Sequence, residues 1–97
     1  MLTSKQRSQL KSIAQNEDTI IIVGKAGIND SLIASVRDAL KAREIVKGRV
    51  LENSDVTPRE ACEQLAELCG AEPVQVIGSK FVLYRRNNEK PGIKLVK

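Results

Sequence analysis

The sequence contains no histidine and no tryptophan, and its aromatic side chains are a single phenylalanine, Phe81, and a single tyrosine, Tyr84. Without imidazole there can be no histidine metal ligand, no Ser-His-Asp or Cys-His arrangement and no imidazole proton shuttle. Two rings are too few for a base-stacking platform of the RRM or single-strand-binding type. Long apolar runs are missing as well. The opening residues lead into no hydrophobic stretch, so neither a secretory signal nor a membrane span is expected. Cysteine is scarce, and Cys62 and Cys69 lie seven residues apart in one helical pattern. That spacing separates their Cα atoms by about 10 Å, whereas a disulfide needs about 4.4–6.8 Å. Free thiols serving as apolar filler are expected. Two cysteines without histidine also leave a tetrahedral zinc site incomplete, so no metal or other cofactor is expected. The expected compartment is a reducing cytoplasm.

What is present suits one globular domain: 97 residues, 41% hydrophobic and 29% charged, with a formal net charge of +4. Thr3 followed by Gln6 is a capping-box signature, and Leu10, Ile13 and Ala14 begin an apolar stripe, predicting a helix over 3–15. Thr19-Ile20-Ile21-Ile22-Val23 is a continuous β-branched run, which predicts a central strand covered on both faces. After Gly24-Lys25-Ala26-Gly27, either Asn29 or Asp30 offers an N-cap for a second helix over 30–42. Residues 44–51 read as a strand, with Val46, Gly48 and Val50 on one face and Lys47 and Arg49 on the other. Its polar face predicts a less enclosed position than the first strand's.

Thr57-Pro58-Arg59-Glu60 starts a third helix, with a Thr cap, Pro at the first position and Glu closing the box. Ala61, Cys62, Leu65, Leu68 and Cys69 form its apolar stripe, and Gly70 suits its C-terminal cap. Val74-Gln75-Val76-Ile77 and Phe81-Val82-Leu83-Tyr84 flank a turn at Gly78-Ser79-Lys80, a hairpin. Residues 1–86 are thus one α/β domain of order α-β-α-β-α-β-β. Its sheet is mixed and four-stranded, with right-handed crossovers, the second and third helices on one face and the first on the other. Residues 87–97 form a polar basic tail, loosely ordered or a weak edge strand.

Charge is segregated along the chain. Residues 1–50 carry nine Lys/Arg against five acids, residues 51–72 one against six, and residues 73–97 six against one. Local positive potential therefore exceeds what +4 implies. Arg7 and Lys11 share a face of the first helix with Lys5 nearby in sequence, Lys25 sits in the glycine loop, and Arg85-Arg86 leave the last strand together. If these clusters converge, they make a phosphate-binding face. Glycines at 24 and 27 admit positive φ and the close approach of another backbone. The loop feeds a helix N-terminus, whose amides favour anions. A tight strand-to-helix turn would require glycines too. The Walker and dinucleotide patterns are not met, because the lysine spacing differs and Asp30 stands where a third glycine belongs.

Three separated motifs carry a more specific resemblance. Leu2-Thr3-Ser4-Lys5-Gln6-Arg7 with Leu10-Lys11, Val23-Gly24-Lys25-Ala26-Gly27-Ile28, and Val74-Gln75-Val76-Ile77-Gly78 with Phe81-Val82-Leu83-Tyr84-Arg85 resemble the CRM domain (chloroplast RNA splicing and ribosome maturation) in its stand-alone bacterial YhbY-like form. Some members carry further basic residues where this chain has Ser4 and Ser8. The resemblance implies a fold like the C-terminal domain of bacterial translation initiation factor three. It also implies RNA binding by the glycine loop and adjoining basic surface, in precursors of the large ribosomal subunit. The expected RNA-binding residues are Gly24, Lys25, Ala26 and Gly27, flanked by Lys5, Arg7 and Lys11 and by Arg85 and Arg86. A non-enzymatic monomer is expected, with no membrane or small-molecule partner, since no constellation of carboxylates and Tyr84 forms a catalytic set. The alternative is an adaptor whose acidic third helix, with Glu60, Glu63 and Glu67, docks a basic ribosomal partner.

Overall fold

The structure, a computed structural model, describes residues 2–87 and 92–96. The elements are α1 (Ser4–Ala14), β1 (Thr19–Val23), α2 (Asp30–Arg43), β2 (Ile45–Val50), α3 (Pro58–Cys69), β3 (Glu72–Ile77) and β4 (Lys80–Tyr84). Local chemistry sets the helix ends. The Thr3 hydroxyl accepts from the Gln6 amide at 3.1 Å while the Gln6 side chain accepts from the Thr3 amide at 3.0 Å. Thr57 and Glu60 repeat this arrangement at the start of α3. Asn29 caps α2 by accepting from the Leu32 amide. Gly70 ends α3 in the left-handed conformation that a side chain disfavours. The first residue of the expected second strand belongs elsewhere: Glu44 is the C-terminal cap of α2, at φ 64°, and the strand starts one residue later.

The four strands form one sheet in the order β1-β2-β4-β3, with β1 parallel to β2 and both other pairings antiparallel. Two apolar layers sandwich it. Helices α2 and α3 close one face over Ile21, Val23, Val46, Val50, Phe81 and Leu83. Helix α1 closes the other, placing Leu10 and Ala14 against Ile45, Val74, Val82 and Tyr84. The two faces of β4 therefore both lie in core. Gly48, in mid-sheet, is required by packing, because a Cβ there would overlap the Phe81 ring. Cys62 and Cys69 are free and buried, as the helical spacing requires. Burial pushes the Cys62 thiol up to about 11, which Glu63 reinforces and Arg59 opposes.

Two positional expectations are overturned. The first strand is at the sheet edge, and Ile20 and Ile22 are exposed rather than covered. Its apolar run supplies the α2–α3 core only through alternate residues, Ile21 and Val23, because α1 packs over β2, β3 and β4. The second strand, conversely, is interior, between β1 and β4. Its polar face misleads because Lys47 lies beneath the end of α1, where its ammonium donates to the Ala14 carbonyl at 3.3 Å. A long cation serving a helix C-terminus can occupy an enclosed strand.

Beyond β4, residues 92–96 run beside α1. Gln6 and Gln9 donate to the Val96 and Lys94 carbonyls, and the Val96 amide donates back to Gln9. The Glu44 carboxylate accepts from the amides of Asn87, Gly92 and Ile93. Of the tail expected over 87–97, residues 88–91 and 97 lie outside the described residues.

Candidate nucleic-acid interface

Strand β1 ends at Val23, whose carbonyl accepts from the Leu51 amide at 2.9 Å. The chain then turns: the Gly27 amide donates to the Gly24 carbonyl at 2.9 Å, closing a four-residue turn with Lys25 and Ala26 exposed at its tip. The two glycines differ. Gly27 has φ +68°, a conformation that a side chain would strain. A Cβ at Gly24, by contrast, would meet the nearest atom, the Leu51 Cδ1, at an ordinary 3.7 Å. Neither backbone conformation nor packing in the folded chain requires glycine at position 24. Helix α2 follows, and its N-terminus is already engaged: Asn29 takes the Leu32 amide, and Asp30 brings a negative charge to the first turn. Among the described residues, no bond engages the amides of Lys25 and Ala26. The turn tip, rather than the helix end, is where this strand-to-helix junction offers donors.

The expected basic residues divide between the ends and an edge of the sheet. In the β2–β4 register Ile45 faces Tyr84, so Arg85 and Arg86 leave the sheet where β2 begins, whereas the glycine loop lies where β1 and β2 end. The six residues of β2 separate the two by about 17 Å. There Arg85 and Arg86 flank a cavity with Arg37, Lys41 and Asn87, and with the acidic Asp38. Arg7 is half-buried at the β3 edge, donating to the Pro73 carbonyl at 2.7 Å. Lys5 is exposed on α1, and Lys11 is half-buried one turn beyond Arg7.

At the loop end, the structure adds cations that sequence reasoning did not assign to the site. Arg49 of β2 and Lys80 of β4 are cross-strand partners, both exposed. Strand alternation had already set Arg49 opposite the core-facing residues. Its neighbour across the sheet was hidden, because pairing of β2 with β4 skips α3 and β3. Among the described residues no carboxylate bonds Lys25, Arg49 or Lys80. Like charges side by side on a sheet are destabilising, and an anion would relieve that cost. Also among the described residues, no group of acidic or cysteine side chains could hold a metal ion, and no helix is long and apolar enough to cross a membrane.

Known proteins resemble this chain in sequence and architecture. Over 95 residues the chain is 39% identical to the Bacillus subtilis protein named "Probable RNA-binding protein YqeI", covering 98% of this chain and 99% of that one. It is 28% identical over 88 residues to a Haemophilus influenzae protein named "RNA-binding protein", covering 91% and 89% of the two chains. The solution structure of hypothetical protein SAV1595 from Staphylococcus aureus superposes with a TM-score of 0.82 at 44% identity, covering 99% of this chain and all of that one. Residues 2–85 match the CRS1 / YhbY (CRM) domain, the resemblance carried by the three sequence motifs, and the chain belongs to that family.

Proposed function

We propose that the protein binds RNA without catalysing a reaction, that its target is ribosomal RNA in precursor large-subunit particles, and that the Gly24-Lys25-Ala26-Gly27 turn with adjoining basic surface makes the contact. The observation that carries this reading is the turn itself. It projects Lys25 and two unengaged amides from the end of the sheet, and it keeps at Gly24 a glycine that the fold does not require. Absence of a side chain there lets a phosphodiester backbone approach the amides, while Lys25 adds a charge. Relatives named as RNA-binding proteins support the same chemistry. The large-subunit target follows from the family resemblance, and the cytoplasm is the compartment in which such particles would be met.

Lys25→Glu is expected to weaken binding to structured ribosomal RNA by about 1–3 kcal/mol, the size of a charged contact reversed, with the fold intact because the side chain is exposed. Fluorescence anisotropy measures this, and unchanged affinity would refute the role of the loop. Crosslinking in cells with sequencing of the bound RNA tests the target. Enrichment of large-subunit ribosomal RNA is the expected outcome. Recovery of introns alone, or of no RNA, would overturn it.

A further inference from the structure

One face of the sheet is left partly open. Helix α1 ends at Ala14, over Lys47, and the next cross-strand row on that face is uncovered. The register defines the row: Ile22 of β1 pairs with Arg49 of β2, Arg49 with Lys80 of β4, and Lys80 with Ile77 of β3. Cross-strand partners stand side by side on one face. All four residues are exposed, Ile22 at 49% and Ile77 at 62%, the two largest exposures among the large apolar side chains of the described residues. Two cations are therefore bracketed by two bare isoleucines, across three strand spacings or about 14 Å. The row is continuous with the glycine loop. Ile22, Gly24, Ala26 and Gly27 line one open cavity of about 270 Å³ together with Asn29 and Ser35.

We propose that unpaired nucleotides of the RNA held at the glycine loop lie across this row, an inference that rests on the RNA-binding reading above. Phosphate charge suits Arg49 and Lys80, which have no carboxylate partner among the described residues. Nucleobase faces suit the Arg49 guanidinium plane, which can stack on a base while its charge faces phosphate, and the two isoleucines, whose apolar side chains can sandwich one. Four-stranded sheets elsewhere seat two or three bases with aromatic rings. Here aliphatic side chains and a guanidinium replace the rings that the sequence lacks. A paired helix would bury its base faces and leave Ile22 and Ile77 uncovered. A second copy of this chain suits the face less well, because joining two such rows would set Arg49 and Lys80 against their own kind.

The test compares an RNA hairpin with an unpaired loop against a fully paired RNA of equal length, by anisotropy at several salt concentrations. Wild-type protein is expected to prefer the hairpin. Arg49→Lys keeps the charge and loses the plane, while Ile22→Ser with Ile77→Ser removes the apolar faces. Each variant is expected to weaken hairpin binding about fivefold, without changing duplex binding or the slope against salt. Unchanged hairpin affinity in either variant overturns the proposal. If Lys25→Glu still weakens binding in that case, the loop reading stands and only the sheet-face site falls. Wild-type protein that binds neither RNA removes both. Isoleucine variants that alter the sedimentation of the protein yet keep RNA affinity would assign the face to a second copy, and so overturn the proposal too.

Discussion

Gly24 and Gly27 occupy the two ends of one turn, yet the backbone asks different things of them. Gly27 sits at φ +68°, where a Cβ is strained; Gly27→Ala is expected to cost about 1–2 kcal/mol of stability. Gly24 tolerates a methyl group at ordinary contact distance from Leu51, so Gly24→Ala should change stability by less than about 0.5 kcal/mol. If the RNA backbone approaches there, the same methyl weakens RNA binding severalfold. Urea denaturation and anisotropy on both variants separate the roles. A stable Gly24→Ala protein with full affinity would return the glycine pair to turn geometry alone. From the sequence the two glycines are indistinguishable, because the conformational demand on each depends on the path of the folded chain.

At the scale of elements, Glu44 joins three segments. It ends α2, its carbonyl accepts from the Arg85 amide just past β4, and its carboxylate receives the amides of Asn87, Gly92 and Ile93. Burial by itself would raise the carboxyl pKa, but the three amide bonds and the charge of Arg86 outweigh it, and the net shift is downward. A carboxyl held lower in the folded state than its unfolded value of about 4.3 contributes stability above that value and loses it as pH falls through the folded pKa. The segment 92–96 should therefore detach from Glu44 only in acid, below the range in which an ordinary glutamate takes up its proton. In an NMR titration, the Gly92 and Ile93 amides should shift together with the Glu44 carboxyl. Glu44→Ala, which removes the acceptor, should release them at neutral pH, and amides indifferent to both changes would contradict the anchor. The sequence places Glu44 at a strand start, since nothing local reveals that its partners lie 43 to 49 residues onward, with Arg85 nearer.

For the whole molecule, charge is distributed by the sheet rather than by the chain. Lys25, Arg49 and Lys80 gather at one end from three strands' worth of sequence, while Arg85 and Arg86 occupy the other. An RNA fragment shorter than the sheet can neutralise only one group. Three phosphate contacts with single-stranded RNA give a slope of log affinity against log salt near about −2. A longer structured RNA that spans both ends should give a steeper slope, and Arg85→Gln with Arg86→Gln should flatten it for the long RNA alone. Equal slopes for short and long RNA would show that the second basic group takes no part.

Much of the architecture is written locally: the caps at Thr3, Asn29 and Thr57, the left-handed stop at Gly70 and the hairpin at residues 77–80 each depend on a few neighbouring residues. These interactions close within one turn or one loop, so sequence by itself determines the seven elements and their order. It also determines which family the chain belongs to. Tertiary structure alone decided that the most apolar strand lies at the edge, that the strand bearing Lys47 and Arg49 lies inside, and that Arg49 stands beside Lys80. Those outcomes follow from β4 inserting between β2 and β3, and from α1 stopping at Ala14. The first is a long-range packing choice, in which burying β4 on both faces, Phe81 and Leu83 on one and Val82 and Tyr84 on the other, outweighs covering Ile20 and Ile22.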